Sequence, residues 1–493
     1  MNEPTMQREQ VADDAPRTLL DRIFEDGRLV RDEHQVDSAR SMLRGFIEEA
    51  VQAGVALDGT SRKAIAARIA AIDRLVTEQV NEVLHDAKFQ RLEASWRSLH
   101  KLVTKNELST SMRVRVFNAK RSEIEKDFAR APGFDQSLMF KHIYEREFGT
   151  LGGAPYSFII GDMEFGRSPR DINFLKEVSA VAAAAHAPFI ANVSPDMIDL
   201  DSFTDLDRPI DIAKIFATSE MAPWNSLRNH EDSRYLVLTA PRVLQRLPWG
   251  GTNGAPVEGF DFVEDVDGED HSKYLWGGAS WDLGGQVMKS FSTYGWPCAI
   301  RGTNTGGKIA DLPLHTFESL SGAKVTKCPT ETAITDRREK ELSDQGIIGV
   351  SHAKNTDYAV IFSGSTVNRP KTYVEPEANA NSRLSASLPY ILACARFAHY
   401  LKAIMRDRVG GFTSRQDTEA FLNRWIGQYV TADDGASHGV KARYPLREAR
   451  IVVRDVAGKP GVYEAIAHLR PHFQLEELTA SLRLVAELPP PPA

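Results

Sequence analysis

The sequence predicts a multi-lobe chain that combines α/β with α+β organisation, and three observations carry that prediction. Strand-like apolar runs alternate with helical periodicity between residues 113 and 240. A long amphipathic helix near residue 388 is followed by alternating, strand-like segments. The first 60 residues hold too few apolar side chains to close a core. The first pattern belongs to a layered α/β domain and the second to an α+β domain. At 493 residues the chain exceeds what one core usually serves, and its 42% hydrophobic and 26% charged composition is that of an ordinary globular protein.

Residues 1–60 read as an extended N-terminal arm. It is polar as far as Pro16, then holds an apolar knot of Leu19, Leu20, Ile23 and Phe24, and after Gly27 the pair Leu29 and Val30. So sparse a set must dock on something else, in this chain or a neighbour. A short helix is expected over about 36–53, ending at Gly54. From Ser61 to Val103 the positions Ile65, Ile69, Ile72, Val76, Val80 and Val83, then Leu92, Trp96, Leu99 and Val103, step by three or four. That spacing predicts two amphipathic helices with a break near residues 85–88.

Between 113 and 240, MRVRVF, YSFIIGD, PFIANV and YLVLTAP read as strands, with helices from about Ser122, from Ser168 to His186, and from Pro209. Strands separated by helices predict a mostly parallel sheet covered on both faces. Residues 245–330 are rich in Gly, Pro and Trp and read as long surface connections around a second small lobe. The polar stretch YVEPEANANSRL marks a boundary, giving expected domains at 1–60, 61–376 and 377–493. In the last, LPYILACARFAHYLKAIMRDRVGG is a long helix stopped by Gly410 and Gly411, and a second helix spans about 414–430. EARIVVRDV, VYEAIAHLR and LTASLRLVAEL then read as antiparallel strands, the last with Leu478, Ala480, Leu482 and Leu484 on one face. A sheet so small has open edges, which natural proteins cover or pair with another chain.

Composition excludes several functions. No apolar run spans a bilayer, and the polar, acidic start lacks the pattern of a secretory leader, so a cytoplasmic location is expected. A formal charge of −7 argues against a general nucleic-acid binder and favours protein partners. Cys298, Cys328 and Cys394 form no C-x-x-C pair and read as buried small hydrophobes, so no metal is expected. The stretch RGTNTGGKIAD has the spacing of a P-loop at Gly302, Gly307 and Lys308. Yet Ile309 stands where a magnesium-binding hydroxyl belongs, Pro297 interrupts the preceding strand, and Pro313 falls where the helix should run. A Gly-rich surface loop is the better reading, with a P-loop-like NTPase or another cytoplasmic α/β enzyme as the alternative. Asp162 and Glu164 end an apolar strand, as magnesium-holding carboxylates do, but such residues more often cap the next turn. His85, His399, His468 and His472 form no catalytic spacing. No catalytic, cofactor-binding or metal-binding residue is therefore assigned.

Several segments together resemble one family: NEVLHDAKFQRLEASWRSLHKLV, FDQSLMFKHIYEREFGTLGGAPYSFIIGDMEF, WPCAIRGTNTGGKIADLPLHTF, PTETAITDRREKELSDQGIIGV, LPYILACARFAHYLKAIMRDRVGGF and ARIVVRDVAGKPGVYEAIAHLRPHFQLEELTASLRLV. They are similar, in order and from about residue 18 to the end, to the large subunit of the type VI secretion contractile sheath, the TssC or VipB family. The resemblance implies a sheath-type fold and a structural, non-enzymatic role without cofactors. It implies a small sheath subunit of TssB or VipA type as partner, copies of the chain in six-fold helical rings, and an inner tube of Hcp type. It further implies a baseplate and a ClpV-type AAA+ ATPase for disassembly, with neither nucleic acid nor membrane insertion. Carried to this sequence, the strands shared between protomers fall at Leu19, Leu20, Ile23, Phe24, Leu29 and Val30, and at Ile451, Val453, Val462, Ile466, Leu482 and Leu484. The tube-facing surface falls on the basic side of the long helix, at Arg396, Lys402, Arg406 and Arg408. A sheath protein of a phage-tail-like injection particle is the further alternative.

Overall fold

A computed structural model describes residues 61–474, apart from gaps at 107, 109–110, 252, 259, 320, 412–413, 458–462 and 473, together with scattered residues of 37–48, which are helical. The chain divides into two compact units, residues 1–80 and 81–493. Helix α1 (Ser61–Leu84) and helix α2 (Ala87–Lys105) part where the spacing predicts. The break has a local cause. Asp86 is extended, and its carboxylate accepts the N–H groups of Lys88 and Phe89 at 2.9 and 3.0 Å, starting a new helix.

The second unit is built on a six-stranded sheet in the order β1-β2-β3-β9-β10-β6. Strands β1 (Ile159–Phe165), β2 (Phe189–Val193), β3 (Leu236–Ala240) and β9 (Ile347–His352) run parallel. Strands β10 (Ala359–Ile361) and β6 (Lys308–Ile309) add antiparallel at one end. The intervening segment holds two small pairs, β4 (Val243–Leu244) with β5 (Trp276–Gly277) and β7 (Thr316–Glu318) with β8 (Lys324–Thr326).

Two cores flank the sheet because successive strand residues point to opposite faces. Phe189, Leu236, Leu238 and Ile347 join Leu175, Val178 and Trp224 on one face. Ile190, Val237, Ile348 and Val350 join Leu283, Val287, Leu388 and Leu392 on the other. The first face is covered by helix α4 (Pro169–Ala185), which follows helix α3 (Arg121–Arg130), and by helix α5 (Ala222–Asn229). Ser168 caps α4 by accepting the Asp171 N–H at 3.1 Å, Pro169 fits its first turn, and His186 ends it at φ 52°. The second face is covered by helix α6 (Ser280–Tyr294) and the start of a later helix.

Three expectations need correction. The segment 245–330, expected as surface connections, carries α6, whose Leu283 and Val287 are buried in the core under the sheet. Among the described residues MRVRVF forms no strand: Met112 makes a single bridge, residues 113–120 are neither helix nor strand, and the strand beside β1 is β2. The alternation in MRVRVF is real but reports one-sided burial. Met112 and Val114 pack with Leu102 and Met288, while Arg113 and Arg115 stay exposed. The single helix expected from Pro209 is instead a short helix, Ile212–Phe216, and then α5, which Pro223 restarts at its first turn.

Helix α7 (Asp336–Asp344) precedes β9, and helix α8 (Pro376–Ser385) occupies the polar stretch, with Pro376 in its first turn. Helix α9 (Leu388–Asp407) and helix α10 (Arg415–Gly427) follow, then the antiparallel pair β11 (Leu446–Asp455) and β12 (Tyr463–Pro471). A third core joins Trp296, Ala393, Phe397, Leu401, Leu422, Ile426, Ile451 and Val453. Helix α9 thus buries its first turns, at Leu388 and Leu392, under the sheet and its middle in the terminal domain.

Candidate functional site

The terminal hairpin has two chemically different edges. The outward backbone groups of Ile451 and Val453 on β11 are held by side chains of α10. Ile451 donates to Asn423 Oδ1 at 2.9 Å and its carbonyl accepts from Asn423 Nδ2 at 2.7 Å. Val453 donates to Glu419 Oε2 at 2.9 Å and accepts from Arg415 Nη1 at 3.1 Å. Three side chains spaced by four, at 415, 419 and 423, therefore satisfy this edge at Ile451 and Val453. Ile451 and Val453 are themselves fully buried.

The register then fixes the other edge. Ile451 lies opposite Ala467 and Val453 opposite Ala465. Since Ile451 and Val453 point their polar backbone away from β12, their opposite residues point away from β11. The outer edge of β12 thus presents the N–H and C=O groups of Ala465, Ala467 and Leu469, and among the described residues none bonds to them. Ile466 pairs inward with Val452. Leu19, Leu20, Ile23, Phe24, Leu29, Val30, Val462, Leu482 and Leu484 lie outside the described residues.

The four basic residues, three on α9 and Arg408 at its C-terminal cap, are half-buried, and each has a partner within the chain. Lys402 Nζ stands 3.5 Å from the Phe148 ring centroid and 3.3 Å from the Tyr144 hydroxyl. Arg406 donates to the carbonyls of Phe148 and Thr150, both at 2.8 Å, at the end of the π-helical turn Lys141–Phe148. Arg396 lies 4.9 Å over the Tyr400 ring, and Arg408 lies 3.5 Å over Phe421 of α10. Beside them His399 Nε2 is 2.9 Å from the Ala185 carbonyl at the end of α4. Burial holds this imidazole down at about 4, with Arg396, His186 and Lys402 acting in the same direction against the Ala185 bond. Burial also lowers His186, whose Nδ1 is 2.9 Å from the Tyr235 hydroxyl.

The phosphate-loop look-alike is not built as a strand–loop–helix. Gly302 donates to Ile361 O at 2.8 Å and Gly307 donates to Gly302 O at 2.9 Å, so these N–H groups are occupied. Lys308 starts β6, not a helix, with its ammonium 4.0 Å over the Tyr358 ring. Asp162 accepts from Ser95 and from Trp281 Nε1. Glu164 pairs with Arg242 at 3.2 Å, and burial, against that arginine, pushes its carboxyl up. Among the described residues no group of three or more His, Cys, Asp and Glu could hold a metal ion, and no helix is long and apolar enough to cross a membrane.

Among the described residues, the outer edge of β12 is thus a sheet edge without a backbone partner. A family model described as the EvpB/VC_A0108 tail sheath N-terminal domain matches residues 66–368, and one described as its gpW/gp25-like domain matches residues 377–488. The class is that of tail-sheath proteins. The chain belongs to the VipB family of that class. It is 43% identical, over 92% of its length and 91% of the relative's, to the type VI secretion system sheath protein TssC1 of Pseudomonas aeruginosa. It is also similar to a chain of the anti-feeding prophage baseplate, with TM-score 0.35 and 10% identity over 64% of this chain and 66% of that one. For the anti-feeding prophage helical sheath in its contracted state, the values are 0.28 and 12% over 63% and 66%.

Sequence reading missed Arg415, Glu419 and Asn423, although their period of four on one side of a helix was available as a signal. Cys328, expected to be a buried hydrophobe, is half-buried and lies 3.5 Å from His352 Nδ1. Nothing local marks that pair, because 24 residues separate the two.

Proposed function

We propose that this chain is the large subunit of a type VI secretion contractile sheath, doing mechanical and not catalytic work in the cytoplasm. It pairs with a small sheath subunit, stacks in six-fold helical rings around an inner tube, starts from a baseplate, and is dismantled by a partner ATPase. Family membership and the name of the Pseudomonas aeruginosa relative support the sheath role. One observation supports strand exchange: Asn423, Glu419 and Arg415 bond the outward backbone of Ile451 and Val453 on β11, while no described residue bonds the outward backbone of Ala465, Ala467 and Leu469 on β12. A strand added there, from the arm around Leu19 to Val30, from the 478–488 segment or from the small subunit, completes a sheet through main-chain bonds.

The domain scheme of arm, α/β lobe and C-terminal lobe is carried as part of this reading, with the arm and hairpin acting as tethers while the lobes move as rigid bodies. The basic side of α9 is its candidate tube-facing surface, and Lys402 and Arg406 serve there by holding the 144–150 segment in place. Electron microscopy of the chain co-expressed with its small partner tests the proposal. Hollow tubules with six-fold cross-section are expected; a soluble complex that never polymerises with tube and baseplate present overturns it.

A further inference from the structure

Outside the hairpin, one cluster combines a nucleophile with a base. Cys328 follows β8, and His352 ends β9. The Cys328 sulfur lies 3.5 Å from His352 Nδ1 and 3.3 Å from the Thr330 hydroxyl. His352 Nε2 is 2.8 Å from the Thr356 carbonyl, which can only accept, so Nε2 carries the proton. The lone pair of Nδ1 is thereby turned to the sulfur, and the ring is held by a third group. That is the arrangement of an activated thiol: nucleophile, base and orienting acceptor.

The surroundings fit. Lys327, next in sequence, adds positive charge; it donates to Gly268 O at 2.9 Å, lies 4.8 Å over the Tyr274 ring, and faces Asp267 and Asp270. The Thr330 hydroxyl, now directed at the Thr332 carbonyl at 2.8 Å, can turn to donate to a thiolate. Cys328 and His352 are both half-buried. Burial raises the Cys328 thiol, yet the bonds from His352 and Thr330 outweigh it and leave the thiol below its ordinary value. His352 moves the opposite way: burial lowers it, and the sulfur together with the Thr356 carbonyl raises it above the usual imidazole value. The other two cysteines have no such neighbour among the described residues. Burial pushes Cys394 up to about 11 and Cys298 further still.

We infer that Cys328 and His352 form a thiol–base pair that makes Cys328 a site of reversible covalent modification by hydroperoxides and then by low-molecular-weight thiols. The thiolate sulfur attacks the terminal oxygen of the hydroperoxide and the O–O bond breaks. The departing alkoxide or hydroxide takes the proton from the His352 imidazolium. The sulfur, oxidised by two electrons, becomes a sulfenic acid, and the peroxide is reduced to alcohol or water. A small thiol then attacks the sulfenic sulfur, and the hydroxyl leaves with a proton as water, giving a mixed disulfide that a further thiol can remove. The adduct sits where Thr330 bridges to Val243 and where the β9–β10 turn closes.

The test uses the full chain. Its three cysteines are followed by peptide mass mapping during iodoacetamide labelling, and after hydrogen peroxide with dimedone or with glutathione. At pH 7, Cys328 is expected to alkylate at least about tenfold faster than Cys298 or Cys394, with a half-maximal rate below the pH of about 8.5 typical of a free thiol. Peroxide is expected to give the dimedone and glutathione adducts at Cys328 first. His352→Asn is expected to slow labelling about tenfold at pH 7 while leaving the rate at pH 10 within about twofold. The wild-type pH profile stands alone if that variant perturbs β9. Uniform labelling of the three thiols, a half-maximal rate at or above pH 8.5, or no sulfenic adduct at Cys328 overturns the inference.

Discussion

His399 shows how a single buried group couples the chain to pH. Its folded-state value of about 4 lies below the value of about 6.5 expected when unfolded. Between those values the unfolded chain binds more protons, so the stability held by the neutral ring is complete above pH 6.5 and is lost as pH falls towards 4. The shift corresponds to a contribution on the order of 3 kcal/mol. The urea midpoint of the wild-type chain should fall between pH 7 and pH 4, and His399→Gln, which can still reach Ala185, should lose less over the same window. Equal slopes for the two proteins contradict the assignment. At this scale the sequence was only partly legible. That no helix follows Lys308 could be argued from Ile309 and Pro313 alone. The pairing of Cys328 with His352, and of Asn423 with Ile451, depends on long-range chain crossings that no local spacing encodes.

Among the elements, α9 ties the two ends of the second unit together. Leu388 and Leu392 sit in the core under the sheet, and Phe397 sits in the terminal core, stacked at 4.3 Å on Trp296 and edge-on to Tyr429 at 5.8 Å. Phe397 is fully buried, so Phe397→Ala leaves a cavity in the joint. A loss of about 3–5 kcal/mol in denaturant stability is expected, with weaker near-ultraviolet circular dichroism; a change under about 1 kcal/mol contradicts the packing described. Long amphipathic elements such as α2, α4 and α9 were legible because periodicity, caps and stop signals agreed. Two others were not. In MRVRVF, one-sided burial of Met112 and Val114 gives a strand-like alternation, yet among the described residues the stretch forms no strand. After Pro209, the short helix ends at Phe216 and Pro223 starts α5 in its first turn, where apolar spacing alone makes one continuous helix.

For the whole molecule, the order of strands and helices pointed to the parallel sheet, and the sequence resemblance pointed to the family. The difference between the edges of β11 and β12 was hidden, because side chains of α10 decide it. The account rests on β-segments that find their main-chain partners on other molecules and thereby tie subunits into a tube. Its most direct test is removal of residues 1–30 from the chain co-expressed with its small partner, read by size-exclusion chromatography and electron microscopy. The account predicts a soluble, folded complex of the two subunits and no tubules. Tubules of normal length from the shortened chain would contradict it.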